Sequence, residues 1–217
     1  GGLSGDAITT GANNTAVGTS ALSANTTASN NTAVGYHSSR DNTTGSTNAS
    51  FGVNSLRDNT TGSSNVAIGE AALLANTSAS NNTAIGQVSL FDNTTGAQNT
   101  AVGKSALENN TTASNNTAVG YQAGLSNTTG TRNVALGNQA LDANTVGDKN
   151  IAIGVDALGG NVDGSRSIAV GDSALSNQDP ASAVEMYNTA VGHGAGASVT
   201  TAIENTLIGG LAGDAIT

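Results

Sequence analysis

The chain has 217 residues, with 15 acidic and six basic side chains giving a formal charge of −9, 2% aromatic residues and no cysteine. That balance leaves no basic field for nucleic-acid phosphates or anionic lipid, and it removes disulfides, thiolate chemistry and Cys-based zinc sites. With 29 Gly and few large apolar side chains, any core must be thin and regular.

No stretch approaches the roughly 18 apolar residues of a membrane span, and no charged-then-apolar signal segment opens the chain. Composition alone also suits disorder, but strict periodicity argues against it. From the first residue onward, Gly1, Gly18, Gly35, Gly52, Gly69, Gly86, Gly103, Gly120, Gly137, Gly154 and Gly171 recur every 17 residues. The next gap, to Gly192, is 21, and Gly209 returns to 17. A period of this length marks stacked repeats, so residues 1–217 read as one array of thirteen rungs with a single four-residue insertion.

Within each rung the elements follow in order. The first is a strand: Thr or a β-branched aliphatic (Thr15, Thr32, Val66, Ile151, Ile168; Ala49 is the exception), then usually Ala, then a large apolar residue such as Val17, Val34, Phe51, Ile68 or Ile85. Alternation of this kind is strand, and the large row before the glycine is expected to be the core ladder. Gly makes a corner. A second short strand is expected at the Leu row Leu22, Leu56, Leu73, Leu90, Leu107, Leu141, Leu158 and Leu175, each preceded by Ala or Ser. An Asn-Thr-Thr-Gly segment, as at Asn42 to Gly45 and Asn127 to Gly130, supplies the turn, since Asn and Gly tolerate positive φ. No helical spacing of apolar residues persists.

The predicted fold is therefore an all-β, parallel β-roll or β-solenoid of 17-residue rungs. A hexapeptide-type three-sided helix fits less well, because six residues beyond Val17 stand Ser23 and then Ser29. A narrow roll leaves apolar surface exposed, and the stacked Ala16, Ala33, Ala67, Ala84 and Ala101 would let neighbouring chains approach closely, so a symmetric oligomer, a homotrimer, is expected. Thirteen levels would span about 58 Å at roughly 4.8 Å per strand.

N-x-A-[VI]-G-x-x-[AS], repeated along a cysteine-free chain rich in Asn, Thr, Ala and Gly, resembles the head repeats of trimeric autotransporter adhesins, the YadA-like heads. Similar arrays occur in fibre proteins of phages and viruses. The resemblance implies a homotrimeric, left-handed parallel β-roll at a cell surface or on a virion, attaching to host, matrix or cell-surface proteins or glycans. This rung is longer than the family's usual one, through its Asn-Thr-Thr-Gly turn, and the neck, coiled-coil stalk and membrane-anchor barrel of that family are not seen. The near-identical ends, GGLSGDAIT from Gly1 to Thr9 and GGLAGDAIT from Gly209 to Thr217, lack the polar caps of a solenoid terminus and suggest a piece of a longer array.

Candidate chemistry is sparse. The row Asn25, Asn42, Asn59, Asn76, Asn93, Asn110, Asn127, Asn144 and Asn161 is expected to form a hydrogen-bonded ladder, with a repetitive binding surface as the alternative; many of these Asn also sit in N-x-[ST] sequons. Ice binding is the weaker reading of the Thr content, since adjacent Thr26 and Thr27 would face opposite sides of a strand. His37 and His193 occupy different rung positions, and Asp156, Asp163 and Asp172 do not recur at a calcium-repeat spacing, so no metal, cofactor or catalytic group is assigned. The insertion, between Leu175 and Asn188, contains the only Pro and the only Met. It is expected to protrude as a loop, with Gln178, Asp179, Glu185, Met186 and Tyr187 as candidate ligand contacts. A binder should carry such local irregularity, whereas a structural spacer, the alternative function, should be uniform.

Overall fold

The computed structural model describes residues 1–215; Ile216 and Thr217, which complete the second end copy, lie outside them. Two compact units are present, Gly1–Thr112 and Ala113–Thr217. The first contains β1 (Thr15–Val17), β2 (Thr32–Val34), β3 (Ala49–Phe51), β4 (Val66–Ile68), β5 (Thr83–Ile85) and β6 (Thr100–Val102). In the second are β7 (Thr117–Val119), β8 (Val134–Leu136), β9 (Ile151–Ile153), β10 (Ile168–Val170), β11 (Thr189–Val191) and β12 (Thr206–Ile208). Inside each unit every strand pairs in parallel with its successor, position on position, as in Thr83↔Thr100 and Ile151↔Ile168. The chain is an all-β parallel solenoid of 17-residue rungs, with no helix among the described residues.

The interior differs from the expected one. The middle residue of each strand faces in: Ala33, Ala67, Ala84, Ala101, Ala118 and Ala152 are 0% or nearly so exposed. The row before the glycine faces out instead, Val17 at 55%, Phe51 at 40% and Leu136 at 44%. It is no core ladder, and the Ala row is not available to neighbouring chains. Two-residue alternation demands that flanking residues share a face opposite the middle one, and the narrow interior behind the strand takes a small side chain in every strand but β12, where Leu207 stands.

Leucine fills the remaining space from the far side. Leu22, Leu56, Leu73, Leu90, Leu158 and Leu175 are fully buried, yet they belong to no second strand. Their φ values lie between 50° and 54°, and the residue two before each is also left-handed (Ser20, Asn54, Ala71, Val88, Asp156, Ser173). This alternation aims backbone groups along the stack: the Leu90 N–H donates to the Ala106 carbonyl of the next rung, and the Val88 N–H to Glu70 of the previous one. Burial of the isobutyl group offsets a conformation costing about 1–2 kcal/mol for an L-residue. The same rung position is Gly124 and Gly196, both left-handed. Leu90→Ala is therefore expected to cost about 2–5 kcal/mol, while Leu90→Gly, though smaller, should be no worse because it releases the strain; denaturant unfolding of the two variants checks the order.

Polar groups complete the core. Asn42 Nδ2 donates to Asn25 Oδ1 at 3.0 Å and to its own turn's Gly45 carbonyl at 2.9 Å. The pattern repeats through Asn59, Asn76 and Asn93 in the first unit and through Asn144 and Asn161 in the second. These Asn are not at positive φ; the left-handed turn residues are the ones just before the strand-leading Asn, such as Asn30, Thr47 and Ser64. The Asn that leads the N-x-A-[VI]-G motif forms a second buried row: Asn48 donates its backbone N–H to Asn31 Oδ1 and its Nδ2 to the Gly62 carbonyl, both at 2.9 Å. Where Ser39 and Ser50 replace the usual Leu and Ala, the hydroxyls of Ser38, Ser39, Ser50 and Ser55 bond one another at 2.7 to 3.0 Å. Among the described residues no buried side-chain nitrogen or oxygen lacks a partner, as a low-dielectric interior requires.

Candidate functional site

The four-residue insertion leaves the stack in register, since Ile168 still pairs with Thr189 and Val170 with Val191. Its anchoring residues turn inward. Gln178 is fully buried and takes the next place in the Asn ladder, its Nε2 donating to Asn161 Oδ1 at 2.9 Å. Its longer side chain ends the ladder, because Oε1 accepts from Asn188 Nδ2 at 2.8 Å rather than from the following rung, where the equivalent position is the buried Val199. Met186 is also fully buried. Together with the buried Pro180 it covers Gly164, where an added Cβ would lie 3.0 Å from Met186 Cγ and 3.2 Å from Pro180 Cδ. Gln178 and Met186 therefore have no surface to offer a ligand; a flexible apolar thioether packs closely against a glycine that has no side chain to keep it away.

The remaining candidates are on the outside. Asp179 is exposed and ties its backbone N–H to the Thr200 carbonyl at 3.0 Å. Ala181 to Glu185 is a continuous exposed run, held to the previous rung where Ser165 N–H meets the Val184 carbonyl and Met186 N–H meets the Ser165 carbonyl, each at 2.9 Å. Glu185 Oε1 accepts from Arg166 Nε at 2.6 Å, and its Oε2 from the Tyr187 hydroxyl. The Arg166 guanidinium lies 5.7 Å from the Tyr187 ring centroid, within cation–π range. The hydrogen bond from Tyr187, reinforced by Arg166, holds the Glu185 carboxyl below its ordinary range, while Glu185 raises both the Tyr187 phenol and Arg166. The cluster is a pre-set surface feature rather than a loose loop. Arg166 was not among the residues singled out from sequence; aligning rungs shows that it and Tyr187 both stand two residues before a strand.

The other candidates stay apart. His37 stacks on Tyr36, ring centroids 3.7 Å apart, and His193 Nδ1 is 3.7 Å from Asp172 Oδ2. Burial, and then the Asp172 charge, push the Asp156 carboxyl up, and Asp163 Oδ1 accepts from Thr145 Oγ1 at 3.1 Å. No group of three or more His, Cys, Asp or Glu that could hold a metal gathers among the described residues. Sequons on the ladder Asn are closed, because Asn25, Asn42, Asn59, Asn76, Asn93 and Asn110 are fully buried. Thr26 and Thr27 lie in turns, whereas the strands set two outward columns at alternate positions, Thr15 with Val17, Thr32 with Val34 and Thr83 with Ile85, without a charged residue in any strand. No helix of the described residues is long and apolar enough to cross a membrane. No family model matches the chain, and no curated protein or solved structure matches it.

Proposed function

We propose that this chain is an adhesive segment of an extracellular fibre, associated as a homotrimer and attaching to a cell-surface or matrix protein or glycan, as its resemblance to YadA-like heads implies. The observation that carries the reading is the single change of rung length and the surface group fixed beside it. Most other rungs keep an Asn-led turn of fixed length, with a second ion-paired group at Arg40, Asp41, Arg57 and Asp58, and among the described residues only the level of the insertion presents a pre-ordered group, Arg166–Glu185–Tyr187, beside a change of rung length. A uniform spacer has no need of such a feature. The outward aliphatic row, with Ile68 at 39% and Ile85 at 36% exposure, supplies the uncharged face that a trimer would cover.

Light scattering at micromolar concentration should give the mass of three chains; a single-chain mass with the β circular dichroism intact removes the trimer. A glycan and matrix-protein binding screen tests adhesion, run beside a variant lacking Ala181–Val184. That deletion restores a 17-residue rung and keeps Gln178 and Met186 in place, so folding should survive while target binding falls. Undiminished binding makes the loop decoration, and no binding by either chain leaves the spacer.

One observation favours a second reading. Two uncharged outward columns stand at alternate strand positions, with Thr beside an aliphatic in seven of the twelve strands, and a flat ice-binding array would use such columns, although Ala49, Val66, Val134, Ile151 and Ile168 break the Thr column and Phe51 the aliphatic one. Thermal hysteresis in the wild-type chain, lost on Thr83→Lys, supports it; its absence at millimolar concentration rules it out.

A further inference from the structure

All three basic residues of the unit Ala113–Thr217 are Arg132, Lys149 and Arg166, and they occupy one rung position in three successive rungs, two residues before β8, β9 and β10. Tyr187 holds that position in the next rung. Each has left-handed backbone, φ 59°, 59°, 63° and 52°. The first three N–H groups are tied to the preceding rung, at Ser114, Thr131 and Asp148 carbonyls. Their side chains thus leave the stack at intervals of roughly 4.8 Å. In the unit Gly1–Thr112 the position is neutral throughout: Asn13, Asn30, Thr47, Ser64, Asn81, Gln98. The change to cations is confined to the rungs that run into the insertion.

Arg166 is engaged by Glu185 and packs over the Tyr187 ring. Arg132 and Lys149 are exposed, and among the described residues neither is in an ion pair. Asp148, next to Lys149, is already bound through Oδ1 by the Thr131 backbone N–H and hydroxyl at 2.6 and 2.9 Å. The result is a row of two exposed cations outside any ion pair among the described residues, a clamped arginine and an exposed aromatic ring, Tyr187 at 49%, which ends at Glu204, the occupant of the same position in the following rung.

We infer that Arg132, Lys149 and the Tyr187 ring form a binding strip for a linear acidic polysaccharide lying along the stack. A polymer with one anionic group per sugar presents charge at a spacing comparable to the rungs, and the apolar face of a pyranose matches an exposed phenol ring. The clamped Arg166 holds that ring in place. Nine acidic residues share this unit with the three cations, so attraction is local, within about a Debye length of ~10 Å at 0.1 M salt, and the affinity must be modest and strongly salt-dependent. The inference rests on the adhesive reading and names its ligand class.

The test is calorimetric titration of the whole chain with oligogalacturonate, a sulfated glycosaminoglycan fragment, neutral dextran and single-stranded DNA, beside the matrix-protein screen. Either acidic glycan, or both, should bind, which tells carboxylate from sulfate recognition, and dextran should not. Affinity should fall roughly tenfold in R132A/K149A and again in Tyr187→Ala, with circular dichroism unchanged; the charge reversal Lys149→Glu gives the same result through a single exposed site. Equal binding of dextran or DNA, or a double variant that binds as the wild type does, overturns the inference. Binding to matrix protein with no acidic glycan bound overturns it while leaving the adhesive reading, and no binding in any arm overturns both.

Discussion

Replacing Gly86 with alanine is expected to destabilise its unit by at least about 3 kcal/mol. Gly86 has φ +137°, a region closed to L-residues, and a Cβ there would overlap the Gly103 carbonyl, lying 2.6 Å from its carbon. The obstacle is backbone of the next rung, which cannot rotate away without opening the parallel ladder at Ile85↔Val102. The array supplies its own control. Gly62 is also crowded, its added Cβ meeting the Ala79 carbonyl and Asn76 Nδ2, but it carries no left-handed φ, and the same rung position is Ala28, Ala79 and Ala113 elsewhere. Gly62→Ala should therefore cost less than about 1.5 kcal/mol. Denaturant unfolding followed by far-ultraviolet circular dichroism measures both; comparable losses would mean that the corner glycines are ordinary turn residues.

The second large effect is at the Asn ladder. Asn76 is fully buried; its Nδ2 donates to Asn59 Oδ1 at 2.7 Å and to the Ala79 carbonyl at 3.1 Å, while its Oδ1 accepts from Asn93 at 3.1 Å. Asn76→Asp keeps the shape and removes both donors. An ionised carboxylate would face two oxygens in a water-free interior, and the loss at neutral pH should be about 3–5 kcal/mol. The sign of its pH dependence is diagnostic. Burial raises the introduced carboxyl's folded pKa above its unfolded one, so the variant is most stable below the unfolded pKa. It loses stability as pH rises, by about 1.4 kcal/mol per unit between the two values. Chemical denaturation at pH 3.5 and pH 7 should show the variant gaining relative to wild type in acid; an equal deficit at both would mean that water reaches the ladder.

How the insertion is used was legible only in part. Its position, and the preserved register on both sides, follow from the count between Gly171 and Gly192. That Met186 and Gln178 point inward does not. A lone Met among polar turns looks like an exposed anchor until its side chain is found packed against Gly164, and Gln178 looks like surface until it is placed in line with Asn161. Arg166 was invisible as a partner because 19 residues separate it from Glu185, a separation that only the stacking shortens to contact.

The sequence by itself determined the 17-residue period, the parallel all-β stack, the glycine corner that only Gly can occupy and the ladder of Asn at the wide turn, because each is a repeated residue type whose local chemistry allows few alternatives. Which side of the three-residue strand faces in was decided by the tertiary structure alone. Alternation says that Thr15 and Val17 share a face and Ala16 takes the other; it does not say which face is the interior. Hydrophobicity favoured the valine, and the rung chose the alanine. A 17-residue loop that already encloses a left-handed leucine and two asparagines leaves little space behind its strand: a methyl or the Ser50 hydroxymethyl fits beside a full rung, and Leu207 is accommodated where the facing position is Gly196.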